Sequence, residues 1–102
     1  MGTLWLTMFH QVTHDEKVST LDPDAPEPLY EQLAAILREK IMTRQIPPRR
    51  ALPSNRALTL EYGVARGTAL HAVTILIEEG WAYAVQGRGV FSVADADRPD
   101  RP

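Results

Sequence analysis

The sequence of 102 residues contains no cysteine. This excludes a disulfide framework, a thiolate zinc site and a cysteine nucleophile, and it fits a reducing compartment. Long apolar runs are also missing. The longest stretch, Leu4 to Phe9, is interrupted by Thr7 and is too short to cross a bilayer, and no cationic segment precedes it as in a signal peptide. These absences predict a cytoplasmic protein that does not span a membrane.

Residue groups that carry catalysis or bind metal are scarce as well. We find no Ser-His-acid order, no pair of carboxylates suited to a buried site and no phosphate-binding loop with its lysine, so we expect neither an enzyme nor a cofactor. His10 and His14 have the i, i+4 spacing of two metal ligands on a helix. Their segment lacks helical periodicity and a third ligand, and we therefore expect no metal site.

The net charge of −2 is unevenly distributed along the chain. Residues 1–24 hold one lysine and four acids, and residues 95–102 hold two arginines and three aspartates, which gives −3 and −1. Residues 25–94 hold eight basic and six acidic side chains, a balance of +2. Seven of those eight cations are arginine, whose forked donors suit phosphate and guanine. Charge alone does not establish a nucleic-acid partner.

Proline and acidic residues mark the ends of the predicted domain. Residues 21–28 hold three prolines and three acids, and residues 95–102 are almost devoid of apolar side chains. We expect one domain over residues 27–94, which is large enough for a single core. Before it lies an acidic and apolar tail over residues 1–26 that is partly disordered. A disordered tail over residues 95–102 follows it.

The spacing of apolar residues predicts three helices and a hairpin within this domain. An apolar stripe at helical spacing covers residues 28–44, a second and shorter helix is predicted over residues 55–62, and a third over residues 66–79. Two β-prone runs follow at residues 81–85 and 90–93, separated by a glycine-rich tip. The fold class is therefore α/β but mostly α, with three helices plus a small antiparallel β-hairpin.

The connection between the second and third predicted helices is a three-residue turn that contains glycine, Gly63 to Ala65. Two helices joined in this way form a helix-turn-helix, here over residues 54–73, and the hairpin behind it forms a wing. The sequence thus predicts a winged helix-turn-helix. At 100° per residue, Arg66, Leu70 and Thr74 form an outward row on the third helix.

Four short motifs follow one another along this domain. They read PLYEQL at residues 28–33, LPSNRAL at 52–58, GVARGT at 63–68, and EG with QGRGVF at 79–80 and 86–91. Each is weak alone, but in this order and at these spacings they resemble the DNA-binding domain of the GntR family of bacterial transcription regulators. The resemblance covers residues 27–94. It implies a sequence-specific regulator of transcription, commonly a repressor, that binds double-stranded DNA and is associated with the nucleoid when bound.

The resemblance also implies which residues contact DNA. Arg56 falls where the family contacts phosphate or an adjacent base, Arg66 where it reads guanine, and Gly87 and Gly89 on its wing glycines. Arg88 lies between those glycines, where a minor groove would attract it. The full set of expected DNA contacts is Ser54, Arg56, Arg66, Gly67, Thr68, Leu70, His71, Gln86, Gly87, Arg88 and Gly89.

The sequence departs from the family pattern in ways that weaken the site. Family members usually have Ser or Thr where Ala65 would cap the third helix, and a second arginine where Leu70 stands. They also usually attach a second domain that binds an effector and supplies a dimer interface, whereas only residues 94–102 follow the last predicted strand. We therefore expect no small-molecule effector domain in this chain, and a weak homodimer or a dimer induced by DNA.

Two other interpretations stay open. The missing second arginine, with Leu70 and Ile77 on the outer face, fits a winged helix that recognises a protein and whose DNA binding has decayed. The chain also fits a fragment of a longer regulator.

The apolar segment from Leu4 to Phe9 has three possible explanations. It docks on the domain, it pairs with another chain, or it results from a translation start placed too far upstream. The sequence does not choose among these.

Overall fold

Three helices precede an antiparallel hairpin in the computed structural model, which describes residues 20–100. The elements are α1 (Leu29–Met42), α2 (Asn55–Tyr62), α3 (Arg66–Glu79), β1 (Ala82–Val85), β2 (Gly89–Ser92) and a short 3-10 helix (Asp95–Asp97). This order is that of a winged helix-turn-helix, and the predicted fold class is confirmed. His10, His14 and the segment from Leu4 to Phe9 lie outside the described residues.

Glycine ends both helices of the helix-turn-helix. Gly63 follows α2 with φ 67° and Gly80 follows α3 with φ 90°. Both angles lie in the left-handed region, which glycine adopts without the steric cost of a Cβ atom. The chain can therefore leave α2 and enter α3 within three residues, as the sequence predicts.

The core lies where the inward stripes of the three helices meet. Leu33 and Leu37 of α1, Leu58 of α2 and Leu76 of α3 are each fully buried. Complete burial of one such side chain contributes about 1.5 to 3 kcal/mol. Trp81, at the start of the hairpin, is also buried and its backbone N–H donates to the Leu76 carbonyl at 2.8 Å. The core therefore fixes which face of α3 remains outside.

The hydroxyl of Ser92 joins the wing to the connection between α1 and α2. Ser92 is fully buried at the end of β2. Its hydroxyl donates to the Pro47 carbonyl at 2.6 Å and accepts from the Arg50 N–H at 3.2 Å. The Ser92 N–H in turn donates to the Arg50 carbonyl at 2.9 Å. One buried polar residue thus satisfies several backbone groups of a connection that has no helix of its own.

The same connection also pairs with β2 and lies beside the hairpin like a short third strand. Ala51 forms an isolated antiparallel bridge with Phe91, and the Leu52 N–H donates to the Val90 carbonyl at 2.8 Å. The sequence predicts only a short extended piece after Pro48. Its pairing with the hairpin places the start of α2 next to the wing.

Residues before α1 contact the domain. The Gln32 side chain donates to the Asp22 carbonyl at 2.9 Å and to the Glu27 carbonyl at 2.8 Å. Leu21 is half-buried against the core. The proline-rich segment is therefore held to the first turn of α1 over the described residues.

Residues after β2 form ion pairs with the end of α1 and with one another. Asp95 starts the 3-10 helix and pairs with Arg44, which follows α1. One guanidinium nitrogen of Arg98 lies 2.6 Å from Oδ2 of Asp100, and another lies 3.7 Å from Oδ1 of Asp95. The hydrogen bond to Asp100 raises the pKa of Arg98. Disorder of residues 95–102 stays a prediction.

No helix over residues 20–100 has both the length and the apolar character that a membrane crossing requires.

We expect Ser92→Ala to lower the free energy of unfolding by about 1 to 3 kcal/mol, because the Pro47 carbonyl and the Arg50 N–H lose their partner in a buried place. Urea denaturation followed by circular dichroism measures the change. Thr43→Ala is the matched control, since its exposed hydroxyl donates to the Glu39 carbonyl at 2.9 Å. Its loss should change stability by about 0.5 kcal/mol at most. Equal losses in both variants would contradict the role given to Ser92.

Candidate nucleic-acid interface

The start of α2 is capped by Ser54. The Ser54 hydroxyl accepts a hydrogen bond from the Ala57 N–H at 3.0 Å, and Ser54 has the extended backbone of an N-cap residue. A hydroxyl that accepts in this way keeps its own proton free to donate. Ser54 therefore stabilises α2 and still offers a donor to an external oxygen.

Asn55 ties the start of α2 to the start of α3. Its side-chain amide donates to the Arg66 carbonyl at 3.3 Å. Its buried Oδ1 has no hydrogen-bond partner among the described residues. Asn55 belongs to the LPSNRAL motif but is absent from the set of expected contacts, because a bond between two helices is not visible in a motif of one of them. The bond keeps the first residues of the two helices close together.

Arg56 and Arg66 both lie in the first turn of a helix, and both are exposed. Over residues 20–100, ion pairs involve Arg38, Arg44 and Arg98, and none involves Arg56 or Arg66. The positive end of each helix dipole lies at the same place as its arginine. These positions therefore combine uncompensated positive charge with helix N-termini, which suits an anionic partner.

The wing ends in a tight turn that exposes Arg88. The Arg88 N–H donates to the Val85 carbonyl at 2.9 Å, and Val85 pairs with Gly89 across the hairpin. Gly87 has φ 77° and Gly89 has φ 117°, so the turn requires glycine at both positions. Gln86 and Arg88 are exposed at this tip, and Arg88 forms no ion pair with a described residue.

A groove of about 410 Å³ lies between the start of α2, the outer side of α3 and the wing. Four of the expected contacts line this groove: Ser54, Leu70, Arg88 and Gly89. Its remaining walls are mostly apolar and are formed by Ala51, Leu52, Pro53, Asn55, Val73 and Val90. The structure therefore brings together residues from three elements that the sequence motifs place separately. We call this cavity the wing groove.

The structure places His71 elsewhere. Its ring stacks on Tyr30 of α1, with centroids 3.8 Å apart and an interplanar angle of 15°. It lines a separate groove between α1 and α3 that includes Glu31 and Glu78. His71 is nevertheless exposed, so the stacking on Tyr30 leaves part of its surface accessible. Its expected contact with DNA stays a prediction.

Gly67 and Thr68 differ in their accessibility. Thr68 is half-buried, whereas Gly67 is exposed and a Cβ atom added there would meet no atom within 4 Å. Packing within residues 20–100 therefore does not require glycine at position 67. A small residue in the first turn of α3 leaves room for a partner to approach the backbone there.

Metal binding has no support in the described part of the chain. No group of three or more His, Cys, Asp or Glu side chains there is arranged to hold a metal ion. The chemistry available in the interface is therefore that of arginine side chains, hydroxyl and amide donors, and apolar contacts.

These features define a winged helix-turn-helix with exposed arginines at the starts of two helices and at the tip of its wing. The family model described as bacterial regulatory proteins, gntR family, matches residues 29–91, which is more than half of the chain. The chain belongs to the GntR family, and the resemblance seen in the motifs is confirmed.

Two characterised relatives illustrate the similarity. The chain is 32% identical over 71 residues to the HTH-type transcriptional repressor NagR of Bacillus subtilis, covering 70% of this chain and 29% of that protein. It is 38% identical over 65 residues to the mannosyl-D-glycerate transport/metabolism system repressor MngR of Escherichia coli, covering 64% and 27%. The chain thus spans less than a third of either relative.

A solved structure, AraR(DBD) in complex with operator ORR3, has a similar fold. It superimposes with a TM-score of 0.65 at 30% identity, over 72% of this chain and 88% of that one. The part of the chain that matches is therefore similar to a domain whose structure was solved with an operator.

The uncapped start of α3 provides a test of local stability. Ala65 is its N-cap residue and makes no side-chain hydrogen bond. We expect Ala65→Ser to raise the free energy of unfolding by about 0.5 to 1 kcal/mol, because the hydroxyl can accept from a free N–H of the first turn. Ala35→Ser is the matched control, since Ala35 is exposed inside α1 and a serine there should be slightly destabilising. Denaturation curves that shift equally for both would refute the capping argument.

Proposed function

We propose that this chain binds double-stranded DNA with sequence preference and acts as a transcription regulator, as a repressor. Five exposed arginines lack ion-pair partners among residues 20–100: Arg49 and Arg50 before α2, and Arg56, Arg66 and Arg88. The last three carry the proposal. They lie on the three elements of a winged helix-turn-helix, and the similar AraR(DBD) was solved with an operator. Such a role places the protein in the bacterial cytoplasm, on the nucleoid when bound.

The geometry suits α3 as the recognition helix. The major groove of B-DNA is about 12 Å wide and admits one α-helix, whose N-terminal residues then reach base edges. Arg66 is the first residue of α3. Its guanidinium can donate two hydrogen bonds to O6 and N7 of a guanine. Arg66 therefore takes the role of a base-reading residue.

The other contacts position the domain. Arg56 and the free proton of the Ser54 hydroxyl face phosphate oxygens beside the groove that α3 enters. Arg88 at the tip of the wing reaches a neighbouring minor groove, whose negative potential attracts arginine. These contacts set orientation on the duplex, whereas contacts to base edges supply the sequence preference.

For Arg66→Ala we expect a loss of about 1 to 3 kcal/mol on a preferred duplex and a much smaller loss on random DNA. The preferred duplex is first obtained by selection from a random pool, and affinities are then measured by fluorescence anisotropy. Arg38→Ala is the matched control, because it removes the same charge from a side chain paired with Glu79 between α1 and α3. Arg38→Ala should leave the preference intact. Equal losses of Arg66→Ala on both duplexes would limit Arg66 to phosphate.

Arg56→Ala supplies the contrast to Arg66→Ala. Removal of a phosphate contact weakens binding on all sequences and makes the slope of log affinity against log salt shallower by about one unit. The same anisotropy measurement over a series of salt concentrations gives this slope. An unchanged slope would exclude Arg56 from the phosphate contacts. A selection that enriches no sequence, with a folded protein, would favour recognition of a protein instead.

Assembly follows from the size of the contact. One winged helix covers about one half-site, and a two-fold symmetric site needs two copies. The exposed large apolar side chains over residues 20–100 are scattered over four elements: Met42, Leu60, Leu70 and Val85. They form no broad apolar face within that part of the chain. We therefore propose that the 102-residue chain associates weakly in solution and pairs on DNA.

Light scattering on the 102-residue chain, alone and with a saturating duplex, tests this assembly. We expect a largely monomeric free protein, two chains per duplex and positive cooperativity in the binding isotherm. A tight dimer without DNA, or one chain per saturated duplex, would each contradict it. A variant that lacks residues 1–24 shows whether that segment contributes to pairing.

A further inference from the structure

Leu70 is a large apolar side chain on the outer side of α3, and 60% of it is exposed. It follows Arg66 by four residues on the outward row of the helix. We propose that Leu70 recognises a thymine by contact with the 5-methyl group in the major groove. The inference rests on the proposed function, because it requires α3 to lie in that groove.

Helix geometry places Leu70 within reach of base pairs close to the one that Arg66 reads. Four residues of α-helix advance about 6 Å along the axis, since each residue rises about 1.5 Å. Successive base pairs of B-DNA are separated by about 3.4 Å. A helix whose first residue contacts one base pair therefore brings Leu70 to a base pair at most about two steps away.

Leu70 lines the wing groove together with the apolar side chains of Pro53, Val73 and Val90. The hydrogen-bond donors of the groove come from the start of α2 and from the wing, at Ser54, Asn55 and Arg88. The Thr74 hydroxyl donates to the Leu70 carbonyl at 2.9 Å, so this proton is committed within the helix. A polar group of a base edge that packs directly against the Leu70 side chain would lose water without gaining a partner from that side chain, which costs free energy.

Thymine is the base that meets this requirement. Of the four bases, it alone presents a methyl group at the major-groove edge. Arg66 precedes Leu70 by about one turn of α3, Arg88 lines the wing groove together with Leu70, and neither arginine has an ion-pair partner among residues 20–100. An apolar contact bordered by free cations suits a polyanion that carries a methyl group, and this favours DNA over an apolar protein surface.

The experiment replaces thymines one at a time by deoxyuridine in the selected duplex, which removes only the 5-methyl group. For the unmodified protein we expect one position per half-site to weaken binding by about fourfold, the factor that corresponds to about one buried methyl-sized group. That position should lie within two steps of the guanine read by Arg66. The other replacements serve as controls and should leave the affinity unchanged.

Two variants assign the effect to Leu70. Leu70→Ala should bind the thymine and deoxyuridine duplexes with equal affinity, and its circular dichroism should be unchanged because the side chain is exposed. Leu70→Arg should bind all duplexes more tightly, since it adds a cation within the groove of a polyanion, and should also lose sensitivity to the methyl group.

The outcomes separate this proposal from the proposed function. If no deoxyuridine replacement changes the affinity, while Arg66→Ala still weakens binding to the preferred duplex, the thymine contact is refuted and DNA recognition stands. If Leu70→Ala keeps the sensitivity, another side chain contacts the methyl group and the proposal fails. If the folded protein binds no duplex, both proposals fail together, and binding of Leu70 to a protein partner replaces them.

Discussion

The position of the wing depends on the buried hydroxyl of Ser92. A two-stranded hairpin is marginally stable alone and does not define its own orientation. Here the Ser92 hydroxyl and backbone bind the connection at Pro47 and Arg50, and Leu52 continues that pairing along β2. Only Pro53 separates Leu52 from the cap of α2 at Ser54. The wing and the start of α2 are therefore set by one short network of hydrogen bonds.

Asn55 extends this network to the recognition helix. Its bond to the Arg66 carbonyl links α2 to α3 at the point where both present free N–H groups. The apolar core decides which faces of the helices are buried, since Leu58 and Leu76 tolerate only one orientation. Polar groups decide how the three arginine-bearing elements stand relative to one another. Preorganisation of this kind lowers the entropic cost of binding, because fewer side chains and loops are ordered at the moment of contact.

The sequence predicts those features that depend on residues near one another in the chain. The bounds of α2 and α3 follow from apolar spacing, from Ser54 and from the glycines that end each helix. The pairing of Ala51 with Phe91 escapes prediction, because it depends on the approach of segments 40 residues apart in the chain. The same reason explains why the stacking of the exposed His71 ring on Tyr30 of α1 escapes prediction.

The net charge of a segment does not show which of its charged side chains form ion pairs. The balance of +2 over residues 25–94 indicates little about a polyanionic partner, since it sums paired and unpaired side chains alike. In the structure, Arg38 and Arg44 are bound to Glu79 and Asp95, which leaves the arginines of the interface uncompensated by described residues. Asp95 and Asp100, which add to the negative balance after residue 94, form ion pairs with Arg44 and Arg98. Charge becomes interpretable once its partners are known.

The outer side of α3 exposes one large apolar side chain, Leu70, and this affects how the binding free energy of the proposed interface is divided between phosphate and base contacts. Each phosphate neutralised adds affinity on every sequence and steepens the dependence on salt, whereas a contact with a base edge adds affinity only on the right sequence. In the proposed complex, leucine at position 70 in place of a cation therefore reduces the general attraction to DNA more than it reduces discrimination. In the proposed assembly, weak binding of one domain combined with selective contacts makes occupancy depend on two copies meeting on one site, so that a lone half-site elsewhere on the chromosome stays largely free.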